Sequence, residues 1–421
     1  MINQINDILW VITTFFVLYV SIFYTIRLLF PQFRCIKMLK IFTKKSKGDN
    51  ALKVLSLTLG GKIGVGSISG IALCIYLGGK ESLFWLWVSA LLLAVLPYVE
   101  THLGIKYKDK KSNLSGPAFY LEKGLKKKSL AKTYSGLIIL AYIIAFISIQ
   151  ANTVVISSSN TLGVDKIIII VILCIITYIS INKGIKKISN ITTVLVPVMT
   201  LIYIVIGFVV IINNFEETKE IFSKIITEAL KFDKLDKSII VPVIIGVERG
   251  IFATESGIGT TAIASNLSEN KEKTSYVGMI SSLFTSLIIC TITAVIILTS
   301  NYEPLLSNDI NGIEVVSYAF FEHFGKIGEY FLLLIIFLFA FSTIVTCFYY
   351  GEVNTKFLLS KSKVSFLKYI VLIVIIYSSL TSPTIIWKFT DITIAILTLI
   401  NIYGMYKLKD DIKRRLTIKS Q

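Results

Sequence analysis

Residues 59–73 read LGGKIGVGSISGIAL and carry two features that oppose each other. The stretch lies within an apolar run over 52–78, longer than the roughly 20 residues that cross a bilayer as a helix. Yet it holds glycines at 60, 61, 64, 66 and 70 and a lysine at 62. Each interior glycine weakens a helix by about 1 kcal/mol relative to alanine, and a lysine at the bilayer centre costs about 3 kcal/mol or more. A segment selected only to span a membrane would contain neither. The composition therefore predicts a helix interrupted at mid-membrane, with Lys62 at the interruption.

Outward from this stretch the apolar character recurs along the whole chain. Of 421 residues, 54% are hydrophobic and 16% charged, and the mean hydropathy is +0.75, which excludes a soluble enzyme and predicts an all-α integral membrane protein. The apolar runs are too long for the strands of a barrel. They predict helices over 7–30, 52–78, 82–103, 134–157, 166–182, 190–212, 239–265, 275–299, 329–351, 366–380 and 384–406, eleven crossings in all. The first is followed by RLLFPQFR and no small-residue cleavage site, so it reads as a retained helix. Amphipathic outer helices are expected over 220–232 and 312–331.

The net charge of +17 does not point to nucleic acid, because of where the basic residues fall. With the amino terminus outside, 31 of the 43 lysines and arginines lie on inner segments and 8 on outer ones. That bias predicts a multi-pass protein of the cell membrane with a cytoplasmic carboxyl terminus, its basic loops facing anionic lipid. Four cysteines sit inside predicted helices, and His102 and His323 fall on opposite sides, so no disulfide framework, metal spacing or cofactor is expected. Enzymatic chemistry is not expected either: no nucleophile and base, or paired carboxylates, stand together. A phosphate-cradling loop is also missing.

The GVGS at 64–67 has a counterpart in GIGT at 257–260, and each lies in the first helix of a set of five. Five is odd, so the second set enters the membrane from the opposite side, the pattern of an inverted-topology repeat. The expected organisation is an extra helix and basic loop over 1–50, a five-helix repeat over 51–212, an outer amphipathic loop over 213–238, a second repeat over 239–407 and a basic tail over 408–421. Breaks at matching places expose backbone amides and carbonyls that lipid cannot satisfy, so they must face protein, water or a ligand. Close helix packing through small residues is the competing explanation for either break alone.

At these residues the sequence resembles the alanine or glycine:cation symporter family, carriers with the leucine-transporter type of fold. The likeness continues in order through LFWLWV (83–88), GPAFYLEKGL (116–125), SIQANTVV (148–155), GVERGIFATESGIGTTAIA (246–264) and FAFSTIVTCFYYGE (339–352). It covers nearly the whole chain and includes a helix ahead of the ten-helix core. The resemblance implies import of a small neutral amino acid by sodium symport with alternating access. It implies that the substrate carboxylate meets Gly64, Gly66 and Ser67, that its amino group faces the break from Phe252 through Thr254 to Gly257, and that Gln150 lies beside it. Sodium is implied at the carbonyls of Gly60 and Ile63 with the hydroxyls of Ser342 and Thr343. The chain departs from the family pattern at Val65 and Ser67, where a threonine and an asparagine are usual, at Cys347 in place of a tryptophan, and at Lys62.

Aligning the two breaks places Lys62 two residues before Gly64 and Glu255 two residues before Gly257. Opposite charges at equivalent depths can compensate each other as an intramembrane ion pair, and the Lys62 ammonium would then border or occupy a cation place. The alternative is that Lys62 snorkels to the inner surface, about 15 Å away along its helix. Two further functions stay open at this point: a proton-coupled or cation-independent carrier that uses Lys62 as a tethered cation, and a transporter-shaped amino-acid sensor.

Overall fold

A computed structural model describes residues 2–34, 50–182, 184–231, 237–303, 312–359 and 364–412. Most of the basic loop after the first helix and the basic end of the tail lie outside the described residues. Among the described residues the regular structure is entirely helical. The elements are α1 (Ile2–Arg27), α2 (Ala51–Lys62), α3 (Ser69–Gly78), α4 (Ser82–Lys106), α5 (Pro117–Lys123), α6 (Lys128–Leu162), α7 (Lys166–Ile181) and α8 (Ile185–Asn213). They continue as α9 (Phe215–Ala229), α10 (Lys237–Thr254), α11 (Thr260–Ala264), α12 (Lys271–Leu298), α13 (Gly312–Phe324), α14 (Lys326–Leu358), α15 (Val364–Ser379) and α16 (Pro383–Lys407). Seven of these helices are long and apolar enough to cross a membrane.

Sequence dictates where they begin and end. Asp165 caps α7 by accepting from the Ile167 amide at 2.7 Å, and Gly163 closes α6 in the left-handed region, which glycine enters without strain. Along α7, Ile168, Ile172, Ile175 and Ile179 are exposed, as are Val194, Val198, Leu201, Val205 and Phe208 along α8. Stripes of that size on a soluble protein would drive aggregation; against lipid they match their solvent. The interior carries the polar residues instead, including Ser56, Thr58, Lys62, Glu100, Gln150 and Glu255.

The packing sets the breaks at the centre. α10 lies along the first half of α4, and α12 along α4's second half and α2. The long α14 packs on α6, α8 and α2. α1 stands at the periphery against α16, where the Tyr24 hydroxyl donates to the Met405 carbonyl at 2.7 Å. α6 and α12 each widen into a π-helical stretch, Ile139–Phe146 and Thr285–Cys290, a distortion that often accompanies functional sites.

Two expectations about the amphipathic segments change. In the first, the pattern puts Ile221, Phe222, Ile225, Ile226, Ala229 and Leu230 on one apolar face, but Ile225 and Ala229 are buried while Ile226 and Leu230 are exposed, and Phe222 stacks on Trp87 at 5.4 Å. The second is not one helix over 312–331: Gly325, at φ 60°, separates α13 from α14.

Candidate functional site

The first interruption follows α2. After Lys62 the chain runs through Ile63 and an extended Gly64 (φ −138°, ψ −161°), makes one 3-10 turn at Val65–Ser67, and resumes as α3. The second follows α10: Glu255 takes φ 51°, Gly257 φ 88° and Gly259 φ 106° before α11 begins. A glutamate in the left-handed region is strained, and such strain persists where surrounding structure holds it. At Gly259 no side chain fits, since a Cβ would lie 2.2 Å from the Pro117 Cγ.

Most of the residues singled out in the sequence gather at the first break. The Ser342 hydroxyl donates to the Gly60 carbonyl at 3.2 Å, and the Thr343 hydroxyl to the carbonyls of Gly60 at 3.0 Å and Ile63 at 3.4 Å. Gln150 Oε1 accepts from the Val65 amide at 3.0 Å, supplying a partner for one of the donors the break exposes. Gly64 is pressed between this amide and Thr343: a Cβ there would lie 2.5 Å from Thr343 Oγ1 and 3.1 Å from Gln150 Oε1. At Gly66 it would lie 2.5 Å from the Phe252 ring. Ser67 turns inward, its hydroxyl donating to the Gly64 carbonyl at 2.8 Å while its own carbonyl accepts from Thr293 at 2.8 Å.

Thr254 and Gly257 do not join this group. The Thr254 hydroxyl donates to the Gly250 carbonyl at 2.7 Å and meets Ser256 at 2.9 Å. Gly257 faces α4 and α16, its carbonyl accepting from Asn401 at 2.8 Å. Asn401 also donates to Glu100 at 3.2 Å and accepts from the Tyr120 hydroxyl. Asn152, two residues on from Gln150 and so on the other face of α6, spends its amide on the Ser378 and Thr381 carbonyls and so ties α6 to the end of α15.

Lys62 neither snorkels nor pairs directly with Glu255. Its residue is 2% exposed, and its ammonium donates to Ser281 and Ser282 of α12, each at 2.8 Å. Snorkelling is not needed, because α12 packs on α2 and its two hydroxyls supply the ammonium with partners inside the bundle. Nor does the ammonium point toward the Ser342 and Thr343 hydroxyls, which belong to α14. Glu255 instead accepts from Thr260 at 2.8 Å. Ser282 in turn is hydrogen bonded to the residues on either side of Glu255, to Ser256 at 3.2 Å and to the Thr254 carbonyl at 3.3 Å.

Sequence reading missed an aromatic column beside the first break. Tyr142 stacks on Phe146 at 4.7 Å, Phe146 on Phe252 at 5.1 Å, and Phe252 meets Trp387 at 5.0 Å. A signal was present: Tyr142, Phe146 and Gln150 recur every four residues and so share one face of α6. It also missed a buried ion cluster in which Arg249 binds Glu248 and, at 3.0 Å, Asp391, with its guanidinium 5.7 Å from the rings of both Phe252 and Trp387. Adjacent Glu248 and Arg249 in an apolar helix were the visible sign, since such charges need partners. At the other end of the bundle Asn266 ties several elements together. It accepts from Tyr349 at 2.5 Å on its side chain and from Lys108 at 2.7 Å on its carbonyl, while Asn50 reaches the Leu267 carbonyl at 2.9 Å. Gln150 and Phe252 are both buried at the break.

The geometry offers backbone carbonyls and hydroxyls for a small cation, an amide-lined turn, and an aromatic wall. Comparison with known proteins agrees in kind. The sodium:alanine symporter family matches residues 1–418. The amino-acid carrier protein AlsT of Bacillus subtilis is 32% identical over 96% of this chain and 88% of its own. The probable sodium/glutamine symporter GlnT of the same organism is 31% identical over 96% of this chain and 87% of its own. Among solved structures, that of MhsT in complex with L-phenylalanine superposes with a TM-score of 0.63 at 13% identity, covering 87% of this chain and 90% of that one, a likeness of fold alone.

Proposed function

The chain belongs to the sodium:alanine symporter family of multi-pass membrane carriers, with a leucine-transporter type of fold, and on that premise we propose that it imports a small neutral amino acid together with sodium. The observation that carries the proposal is the convergence of the Ser342 and Thr343 hydroxyls on the Gly60 and Ile63 carbonyls. In the structure the hydroxyls donate to those carbonyls. A hydroxyl can equally present its lone pairs, so rotation of the two groups turns the cluster into an all-oxygen shell suited to sodium. Because Gly60 and Ile63 lie where α2 ends and the break begins, binding an ion there sets the amide-lined turn of Gly64, Gly66 and Ser67 that receives the substrate carboxylate.

Gln150 stands beside that turn, and the column from Tyr142 to Trp387 bounds the space left for a side chain, which favours alanine-sized substrates. GlnT is named for glutamine, so uptake of glutamine is to be measured beside that of alanine and glycine. From the α10 side it is Phe252, packed against Gly66, that reaches this space, while Thr254 and Gly257 are turned away from it. In this reading the two interrupted helices are equivalent members of an inverted repeat, each counted as one of eleven crossings. The amino terminus is outside, and the Asn266 cluster is the inner seal.

A second reading rests on Lys62. A buried ammonium held by two serines beside the break is a built-in cation, and a carrier with one could work without sodium. Uptake of labelled alanine by proteoliposomes separates the readings. Sodium symport requires a sodium gradient, and Thr343→Ala is expected to raise the half-saturating sodium concentration about tenfold or more, since one lost charge–dipole contact is worth about 1.5–3 kcal/mol. Uptake independent of sodium in the wild type would reject the symport and favour the tethered cation. Binding of alanine with no flux under any gradient would indicate a sensor.

A further inference from the structure

We propose that a cleft between the start of α6 and the last turns of α16 is a binding site for one anionic phospholipid of the inner leaflet. The cleft has a volume of about 740 Å³. Three consecutive lysines, Lys126, Lys127 and Lys128, line one side of it, and no carboxylate does. None of the three is in an ion pair among the described residues, while other lysines of the same surface are: Lys106 with Asp411 and Lys123 with Asp109. A concentrated positive charge left without carboxylate partners, beside a cavity, calls for an anion.

The remaining lining says which kind of anion. Ser129 and Thr133 stand one turn apart on α6, below the lysines, and Leu399 and Ile400 of α16 form an apolar floor. Lys127 is fixed rather than free, donating to the Tyr403 hydroxyl at 2.6 Å with its ammonium 4.9 Å from the centre of that ring. Charge, then hydroxyls, then hydrocarbon is the order of groups in a phospholipid: phosphate, glycerol, acyl chain. A free phosphate would use only the first layer and leave the floor wet. Basic pockets between membrane helices on the cytoplasmic side bind anionic headgroups for this reason. The inference rests on the inner-side placement proposed above but not on the substrate or coupling ion, and its test reads lipid rather than flux.

Purified full-length protein is presented with equal amounts of phosphatidylglycerol and phosphatidylethanolamine of the same acyl chains, and the bound lipids are counted by native mass spectrometry. The wild type is expected to prefer phosphatidylglycerol about tenfold or more. The triple variant Lys126→Gln, Lys127→Gln, Lys128→Gln should bring the ratio close to one. A control that removes three exposed lysines elsewhere, Lys53→Gln, Lys110→Gln and Lys111→Gln, should keep it. Ile400→Trp fills the floor without touching charge and should lower the count of bound phosphatidylglycerol at least about threefold. Each variant is checked for an unchanged Tm in lipid-free detergent, with Leu399→Trp in reserve if Ile400→Trp unfolds. Equal losses in the two triple variants would overturn the proposal in favour of diffuse surface charge. An unaffected count in the folded tryptophan variant would overturn it too, as would complete displacement of the lipid by sodium phosphate.

Discussion

Single side chains decide whether the first break can work. Phe252 is held between Phe146 and Trp387, so it cannot yield to a methyl group placed on Gly66. Gly66→Ala is expected to cost about 1–3 kcal/mol by overpacking and to reduce alanine uptake more than about tenfold at unchanged membrane abundance. Uptake close to wild type would show that the ring moves freely. Lys62 gives a sharper test. Removing its charge with Lys62→Met replaces a buried ammonium by a side chain of similar volume, which is often nearly neutral for stability. Removing its partners with Ser281→Ala and Ser282→Ala leaves the ammonium buried with no hydrogen bond, a cost of about 3 kcal/mol or more. The double serine variant should therefore melt well below Lys62→Met in detergent. The reverse order would mean that the serines do not carry the charge.

At the scale of the element, an interrupted helix needs backbone shapes that a continuous one forbids. Gly259, at φ 106°, faces Pro117 and Tyr134, so Gly259→Ala meets both dihedral strain and a clash and is expected to abolish folded carrier in the membrane. Gly136, inside α6, has nothing within 4 Å of a built Cβ. There alanine should be neutral or stabilise by up to about 1 kcal/mol. Comparing the two variants by fluorescence-detected size exclusion tests whether the α10 break is built or merely tolerated: equal, full-height monodisperse peaks would show it is tolerated. The long helices were readable from hydropathy, but their ends were not. α6 begins at Lys128 rather than near 134, because its first turn is amphipathic, with Ala131 and Tyr134 buried, and polar residues between them hide it from a hydropathy window.

For the whole molecule, the lysine and arginine distribution predicts one topology, with the amino terminus outside and the carboxyl terminus inside. Cysteines introduced at Gln4 and Lys419, in a background with the native cysteines replaced by serine, should react with an impermeant maleimide from opposite sides of intact cells. Labelling from the same side would remove the odd number of crossings and with it the inverted repeat. The buried Arg249, Glu248 and Asp391 cluster lies before the α10 break and the Asn266 cluster after it, so under the proposed function these are the contacts expected to open and close in turn.

What the sequence determined by itself followed from local composition. A chain with this hydropathy must put its backbone into helices, because lipid offers no hydrogen bonds, and the clustered glycines at 60–66 and 257–259 marked where two of them open. The pairing of Gly60 and Ile63 with Ser342 and Thr343 was legible only through the resemblance to a family, since those residues lie some 280 positions apart. Other things were decided by the tertiary structure alone. Lys62 could snorkel, pair with Glu255 or find hydroxyls, and only the packing of α12 across α2 made Ser281 and Ser282 its partners. Thr254 and Gly257 carried the same sequence promise as Gly64 and Gly66, yet the turn through Glu255 rotates them toward α12 and α16. Local sequence sets which groups must be satisfied; which partner satisfies them depends on distances between helices, and those exist only once the helices have packed.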